Sequence, residues 1–284
     1  MGEGGSEHPV AVVGILHSMA TRKENQKYMV GNWKMNPATP EAAVALAREI
    51  REALPPSPNV HVVLCPPFPF LPEVAAERGV AFELGAQDCS THQEGAHTGE
   101  VSPKALASSG CAYVIVGHSE RRAAGETNEE VNKKVKEALK AGLRPIIAIG
   151  EERRDSFDAS GHWTKELDPV LKDQLVAALD GVSATRVTSV LIAYEPVWAI
   201  GTGVSASADD VMAVRIFVQK ILRELYGASV EARIPMLYGG STNADSDVLL
   251  REAGVDGFLV GGSSLKPKEF AAMVADAQAM AKEE

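Results

Sequence analysis

Eight short, almost continuously apolar runs recur along this chain, with helix-like segments between most of them. The runs occupy residues 28–33, 60–64, 81–84, 113–116, 145–149, 190–194, 235–238 and 257–260. Strands have this composition when both faces are covered, as in a parallel sheet wrapped by helices. Helix signals fill the gaps. Thr39-Pro40-Glu41 supplies a cap, a proline at the first helical position and an acid in the first turn. It predicts a helix running to about Leu54, with Val44, Ala47, Ile50 and Leu54 on one face. Further helices are predicted over 128–141 (stopped by Gly142), 167–179, 209–226, 246–253 and 267–280, with a weaker one over 68–78 and a short one over 102–109.

Eight successive βα units point to an α/β fold, a closed parallel (β/α)8 barrel forming a single domain over residues 27–284. Right-handed crossovers make such a ring buildable, and 284 residues suit one barrel. A doubly wound open sheet would carry a Gly-rich fingerprint after its first strand; this chain has Asn32-Trp33-Lys34 there. Residues 1–26 read as a flexible extension, Gly-rich at its start. Its apolar stretch 10–16 is preceded by Glu3 and Glu7 and by no Lys or Arg, which fits neither a signal peptide nor a transit peptide.

The net charge of −10 argues against nucleic acid and anionic membrane as partners, so an anionic ligand would need a positive field made locally. No apolar run reaches the roughly 20 residues of a spanning helix. Cys65, Cys89 and Cys111 form no CxxC pair and no metal-ligand spacing, and are read as reduced thiols of a cytoplasmic protein.

In a barrel, chemistry gathers at the C-terminal ends of the strands. The first strand run closes near Asn32 and Lys34, which share a side of an extended chain. The fourth leads to His118 and Glu120, the sixth to Glu195-Pro196, the seventh to Gly239-Gly240-Ser241, and the eighth to Gly261-Gly262-Ser263. Most lysines are only solvated, and Gly-Ser turns are common. Two Gly-rich turns after consecutive strands, with a helical turn opened by Gly262, nevertheless resemble a phosphate cradle of backbone N–H groups. Glu195 and His118 would face each other across the mouth, a carboxylate and an imidazole of the kind that proton abstraction beside a carbonyl requires. The apolar segment 196–203, with a proline at one end and glycines at the other, reads as a lid that excludes water.

Taken together, GNWKMN (31–36), GAHTGEVSP (95–103), VGHSERR (116–122), YEPVWAIGTG (194–203), YGGS (238–241) and LVGGSSL (259–265) resemble the signature segments of the triosephosphate isomerases, in order and over about residues 27–281. The resemblance implies a TIM barrel enzyme that interconverts dihydroxyacetone phosphate and glyceraldehyde 3-phosphate without cofactor or metal, as a homodimer. It implies Glu195 as the base, His118 as a neutral electrophile and Lys34 as the neutralising cation, with Asn32 donating a hydrogen bond nearby. Backbone groups at Gly201, Ser241, Gly261 and Gly262 would hold the phosphate. Glu120 would bond within the site, to Lys34. Thr98 would reach into the partner subunit's site, and Tyr238 would latch the lid near Ala206. The chain departs from the family pattern at His97, where Phe or Tyr is common, at Val204, where Lys is common, and in the spacing around Ala123-Ala124. Two other readings share parts of the pattern. Another phosphate-binding barrel enzyme would not need Lys34, His118 and Glu195 together, and a non-catalytic scaffold would have no reason to keep them.

Overall fold

The computed structural model describes residues 26–152, 169–199, 206–240 and 247–283. The extension expected over 1–26 therefore lies, apart from Gln26, outside the described residues, as do residues 200–203 of the expected lid.

The strands are β1 Lys27–Asn32, β2 Val60–Cys65, β3 Glu83–Ala86, β4 Cys111–Val116, β5 Arg144–Ile149, β6 Leu191–Tyr194, β7 Met236–Tyr238 and β8 Gly257–Val260. They pair in parallel in chain order, and β8 returns to β1 to close the barrel. The expected (β/α)8 architecture is therefore the observed one. The helices are α1 Pro40–Ala53, α2 Leu71–Glu77, α3 Pro103–Ser108, α4 Ser119–Ala123, α5 Asn128–Lys140, α6 Pro169–Leu179, α7 Ala184–Val187, α8 Ala208–Tyr226, α9 Ala228–Glu231, α10 Asp247–Arg251 and α11 Pro267–Glu283. Their starts are capped from the sequence. Thr39 Oγ1 accepts from the Ala42 N–H, and Thr127 with Glu130 and Ser207 with Asp210 form reciprocal capping boxes, each contributing about 1 kcal/mol.

Several boundaries differ from the sequence reading by a residue or more, and α7 and α9 were not expected; two of the differences have clear reasons. β3 begins two residues later than 81, because the Ala81 N–H still bonds back to the Arg78 carbonyl in a turn. The segment 68–78 is not one helix. A single tight turn, Phe68–Phe70, precedes α2, since Pro69 and Pro72 withhold two N–H donors that a continuous helix would need.

Period-two alternation divides the core. Val30, Ile115, Ala193, Leu237 and Leu259 pack inside the barrel, while Met29, Val114, Val116, Ile192, Tyr238 and Phe258 pack outward under the helices. The three cysteines are buried free thiols. Burial pushes all three up in pKa, Cys111 to about 12, so they stay protonated and unreactive.

Candidate active site

Strand alternation sets the mouth. Val30 and Ala193 face the interior, so two residues further on Asn32 and Glu195 also face it. His118 is an exception to this parity. Val116 faces outward, and a straight continuation would point His118 into the helix layer. Gly117 has φ +72°, a left-handed conformation that reverses the chain and brings His118 over the mouth. Arg122 holds the reversal, its Nε donating to the Gly117 carbonyl at 2.8 Å and its Nη1 to Asn128 Oδ1 at 2.7 Å. Lys34 is the one described non-glycine residue with positive φ, at +52°. Its strain is held at both ends of the residue. Its N–H donates to Asn32 Oδ1 at 3.0 Å, and its carbonyl accepts from Gln87 Nε2 at 2.7 Å.

Asn32, Lys34, His118, Glu195, Gly261 and Gly262 line one cavity of about 380 Å³, with Gly239, Gly240, Leu259, Ser263 and Lys266 completing its wall. His118 and Glu195 are buried, 6% and 3% exposed. One Glu195 oxygen, Oε1, lies 3.0 Å from His118 Nε2, and Oε2 accepts from the Ser119 N–H at 2.9 Å. On its other side the His118 ring accepts at Nδ1 from the Glu120 N–H at 3.2 Å. A nitrogen that accepts cannot carry the proton. This hydrogen-bond pattern therefore assigns a neutral ring protonated at Nε2, the nitrogen toward Glu195 and the cavity. Asn32 has committed its oxygen to Lys34, so it can offer its amide nitrogen to a ligand. Lys34 Nζ donates to Glu120 Oε1 at 2.6 Å. Burial opposes ionisation of Glu120, but the hydrogen bond and charge of Lys34 outweigh it and hold the carboxyl below its ordinary value.

Around the eighth strand, the chain turns through Gly262–Leu265 directly after Gly261. Lys266 Nζ, paired with Glu269 at 2.9 Å, adds a second cation to the cavity wall. At the sixth strand, a short turn Val197–Ala199 opens the segment expected to form a lid. Trp198 Nε1 donates to Glu151 Oε1 at 2.7 Å, and Tyr194 Oη donates to the same oxygen at 2.8 Å. Tyr238 is buried, and burial pushes its phenol up, partly offset by the nearby Ala206 backbone N–H. Thr98 is exposed in the loop between β3 and α3. Gly201 and Ser241 lie outside the described residues. Among the described residues no cluster of three or more His, Cys, Asp or Glu side chains could hold a metal ion.

Sequence reasoning missed Gln87, Ser119 and Lys266. Gln87 follows the end of β3 directly, a position that reading every strand end would have reached. Ser119 acts through its backbone N–H and leaves no side-chain signal. Lys266 directly follows the Gly-rich turn.

A family model described as triosephosphate isomerase matches residues 27–277. The triosephosphate isomerase of Rhodopirellula baltica is 42% identical over 251 residues, covering 87% of this chain and 95% of that protein. The enzyme of Citrifermentans bemidjiense is 43% identical, covering 87% and 96%. That of Thermus thermophilus is 44% identical, also covering 87% and 96%.

Proposed function

The chain belongs to the triosephosphate isomerase family, and from that premise we propose how its own residues carry the reaction. The reaction is the interconversion of dihydroxyacetone phosphate and D-glyceraldehyde 3-phosphate, an aldose–ketose isomerisation of glycolysis and gluconeogenesis. It moves one proton between adjacent carbons and another between the oxygens they bear, through an enediolate.

The observation that carries the assignment is the 3.0 Å approach of His118 Nε2 to the Glu195 carboxylate in a cavity that also contains Lys34. Glu195 is the base. It takes the carbon-bound proton of the substrate and returns it to the neighbouring carbon. Both its oxygens are engaged before substrate arrives, with His118 and with the Ser119 N–H, so the substrate must draw the carboxylate away from these donors. Release by Glu195 frees the His118 Nε2–H to bond the substrate carbonyl and steady the growing negative charge. A neutral donor of this kind can also pass its proton between the two oxygens. Lys34 supplies positive charge beside the enediolate oxygens, and Asn32 adds a donor.

The backbone at Gly261 and Gly262, together with Gly201 and Ser241, holds the phosphate dianion, with Lys266 adding its charge from the wall. Glu120 keeps Lys34 aimed. The lid excludes water from an intermediate that would otherwise lose its phosphate, and Tyr238 latches it. No cofactor enters this chemistry.

The functional unit we propose is a homodimer. Met35, beside Lys34, is 91% exposed, and the Thr98 loop is the segment that would cover it from a second subunit. A monomer at working concentration in light scattering, with full activity, would remove that part of the reading. The barrel over 27–284 is the catalytic domain, and the compartment is the cytoplasm. No described helix is long and apolar enough to cross a membrane.

The test is a coupled assay of glyceraldehyde 3-phosphate conversion, wild type beside Glu195→Gln. A fall in kcat of about 10²–10⁴, the usual range for a positioned base, is expected with an unchanged unfolding midpoint. A variant as fast as wild type would show that another group removes the proton.

A further inference from the structure

We infer that Gln174, on α6, is a positioning residue for this reaction, fixing the junction from which the base and the lid depart. The inference rests on Glu195 being the base. Gln174 is 8% exposed, yet its amide grips both backbone polar groups of a single residue, Gly150. Its Oε1 accepts the Gly150 N–H at 2.8 Å, and its Nε2 donates to the Gly150 carbonyl at 3.0 Å. Gly150 is the first residue beyond β5. The β5–β6 register ends at Ile149 opposite Tyr194, so the Gly150 and Glu195 backbones meet where the ladder stops. There the Gln174 amide takes the place of a neighbouring strand, satisfying one donor and one acceptor that the ladder leaves behind.

The contact with the base is close. The Glu195 N–H donates to the Ile149 carbonyl at 2.8 Å. A Cβ on Gly150 would fall 1.9 Å from the Glu195 carbonyl oxygen and 3.2 Å from Val197 Cγ2. No side chain fits there, and the Gly150 backbone serves as the surface against which Glu195 and the lid's first turn rest. Immediately after Gly150 comes Glu151, whose carboxylate takes the Trp198 and Tyr194 donors. A shift of the Gly150 peptide therefore moves the backbone that carries the base and the tether of the lid together. Displacements of about an ångström from a remote change can cost roughly a hundredfold in rate.

Glutamate is the informative substitution. Ionised, a Gln174→Glu side chain accepts from the Gly150 N–H but sets a second negative oxygen against the Gly150 carbonyl. Protonated, its carboxyl reproduces the amide's pattern, one acceptor and one donor, in nearly the same shape. Burial favours the protonated form. The titratable groups bordering the junction, Glu151, Glu195 and Tyr194, are present in both proteins, so the ratio of variant to wild-type rate at each pH isolates residue 174.

The experiment measures kcat and KM for Gln174→Glu across pH 5.5–9, and for Gln174→Met at neutral pH, with unfolding midpoints alongside and Glu195→Gln as a control. We expect kcat to fall roughly ten- to hundredfold in both variants with KM nearly unchanged, and the Gln174→Glu ratio to recover as the pH drops. A lower unfolding midpoint with wild-type kcat in Gln174→Met, or a pH-independent ratio in Gln174→Glu, would overturn the positioning role. Full activity in Glu195→Gln would instead overturn the assignment of the base, a separate failure.

Discussion

The two ends of this barrel are built from the same strands but treat their polar groups in opposite ways. At the N-terminal end, Arg144 lies over the rings of Tyr28 and Tyr113, 5.4 and 5.0 Å from their centroids. It donates to both hydroxyls, at 3.4 and 2.9 Å, and to the Ser189 carbonyl at 3.3 Å. Beside it Glu83 bonds His61 at 2.7 Å and the Tyr113 hydroxyl at 3.4 Å, and the His61 ring stacks on Tyr28. This set comes from β1 to β5, and its partners are fixed parts of the chain. At the C-terminal end the polar groups border a cavity, and their partners are ones a ligand can replace. Glu195 leans on a backbone N–H and an imidazole, and Lys34 on a carboxylate that is largely exposed. One end uses charge to close the barrel, and the other keeps charge available. Strain follows the same division. The positive φ of Lys34 lies at the open end, where it aims a cation at the cost of stability.

The sharpest way to break the comparison is at Lys34. Lys34→Met should lower kcat/KM by about a hundredfold, the loss typical of removing one donor from a developing oxyanion, and should leave the unfolding midpoint nearly where it was. The ion pair it removes is solvent-screened and worth little to folding. Lys34→Gly should be equally inactive but more stable than Lys34→Met by about 1 kcal/mol, because glycine adopts φ +52° without strain. Denaturant unfolding beside the coupled assay measures both. A Met variant that unfolds early would mean that the open end also carries the fold.

The opposite substitution is Arg144→Met. It removes donors from two buried hydroxyls and a carbonyl, and the positive charge that helps hold Glu83 ionised. Stability should fall by at least about 2 kcal/mol, since even one buried group left unpaired costs of that order, although the Tyr113 hydroxyl keeps Glu83 as a partner; for a barrel of this size that is roughly 5 °C or more. The kcat should not change. A slower enzyme of normal stability would show that the two ends are coupled.

How much of this was legible follows from how each group acts. The strands were visible because double burial writes itself as unbroken apolar runs, and Asn32, Lys34, His118 and Glu195 because strand ends of a barrel are where chemistry is exposed. The closed end was not. Arg144 sits immediately before the apolar run that marked the fifth strand, and alone it reads as a boundary residue. Only closure of the barrel brings it over Tyr28, 116 positions away. Gln87 and Gln174 were equally silent. Each holds a distant backbone carbonyl, 53 and 24 positions away, and an amide that recognises backbone leaves no motif at its partner. Gln26, which bonds His61 at 3.0 Å, had been counted with the extension and is instead tied to the closed end.

The smallest expected effect tests the closed end by pH. Burial works against ionisation of Glu83, but the His61 hydrogen bond and charge, then Arg144 and Tyr113, outweigh it and hold the carboxyl below the ordinary value of 4.5. A carboxylate whose folded pKa is depressed stabilises the fold fully above its unfolded pKa. That contribution is lost as the pH falls through the folded value. Wild type should therefore lose more stability than Glu83→Gln between pH 6 and pH 3, by about 1 kcal/mol or less, because Glu83 is partly exposed and its pairing is screened. Glutamine keeps an acceptor for the Tyr113 hydroxyl and does not titrate, so the difference between the two acid limbs isolates the charge. The carboxyl of Glu120 is held down in the same direction, but Glu120 is itself largely exposed and its pair is screened, so Glu120→Gln should change the acid limb of stability less than Glu83→Gln does. Parallel limbs for wild type and Glu83→Gln, or a larger change in Glu120→Gln, would mean that fixed charge is not what closes the N-terminal end.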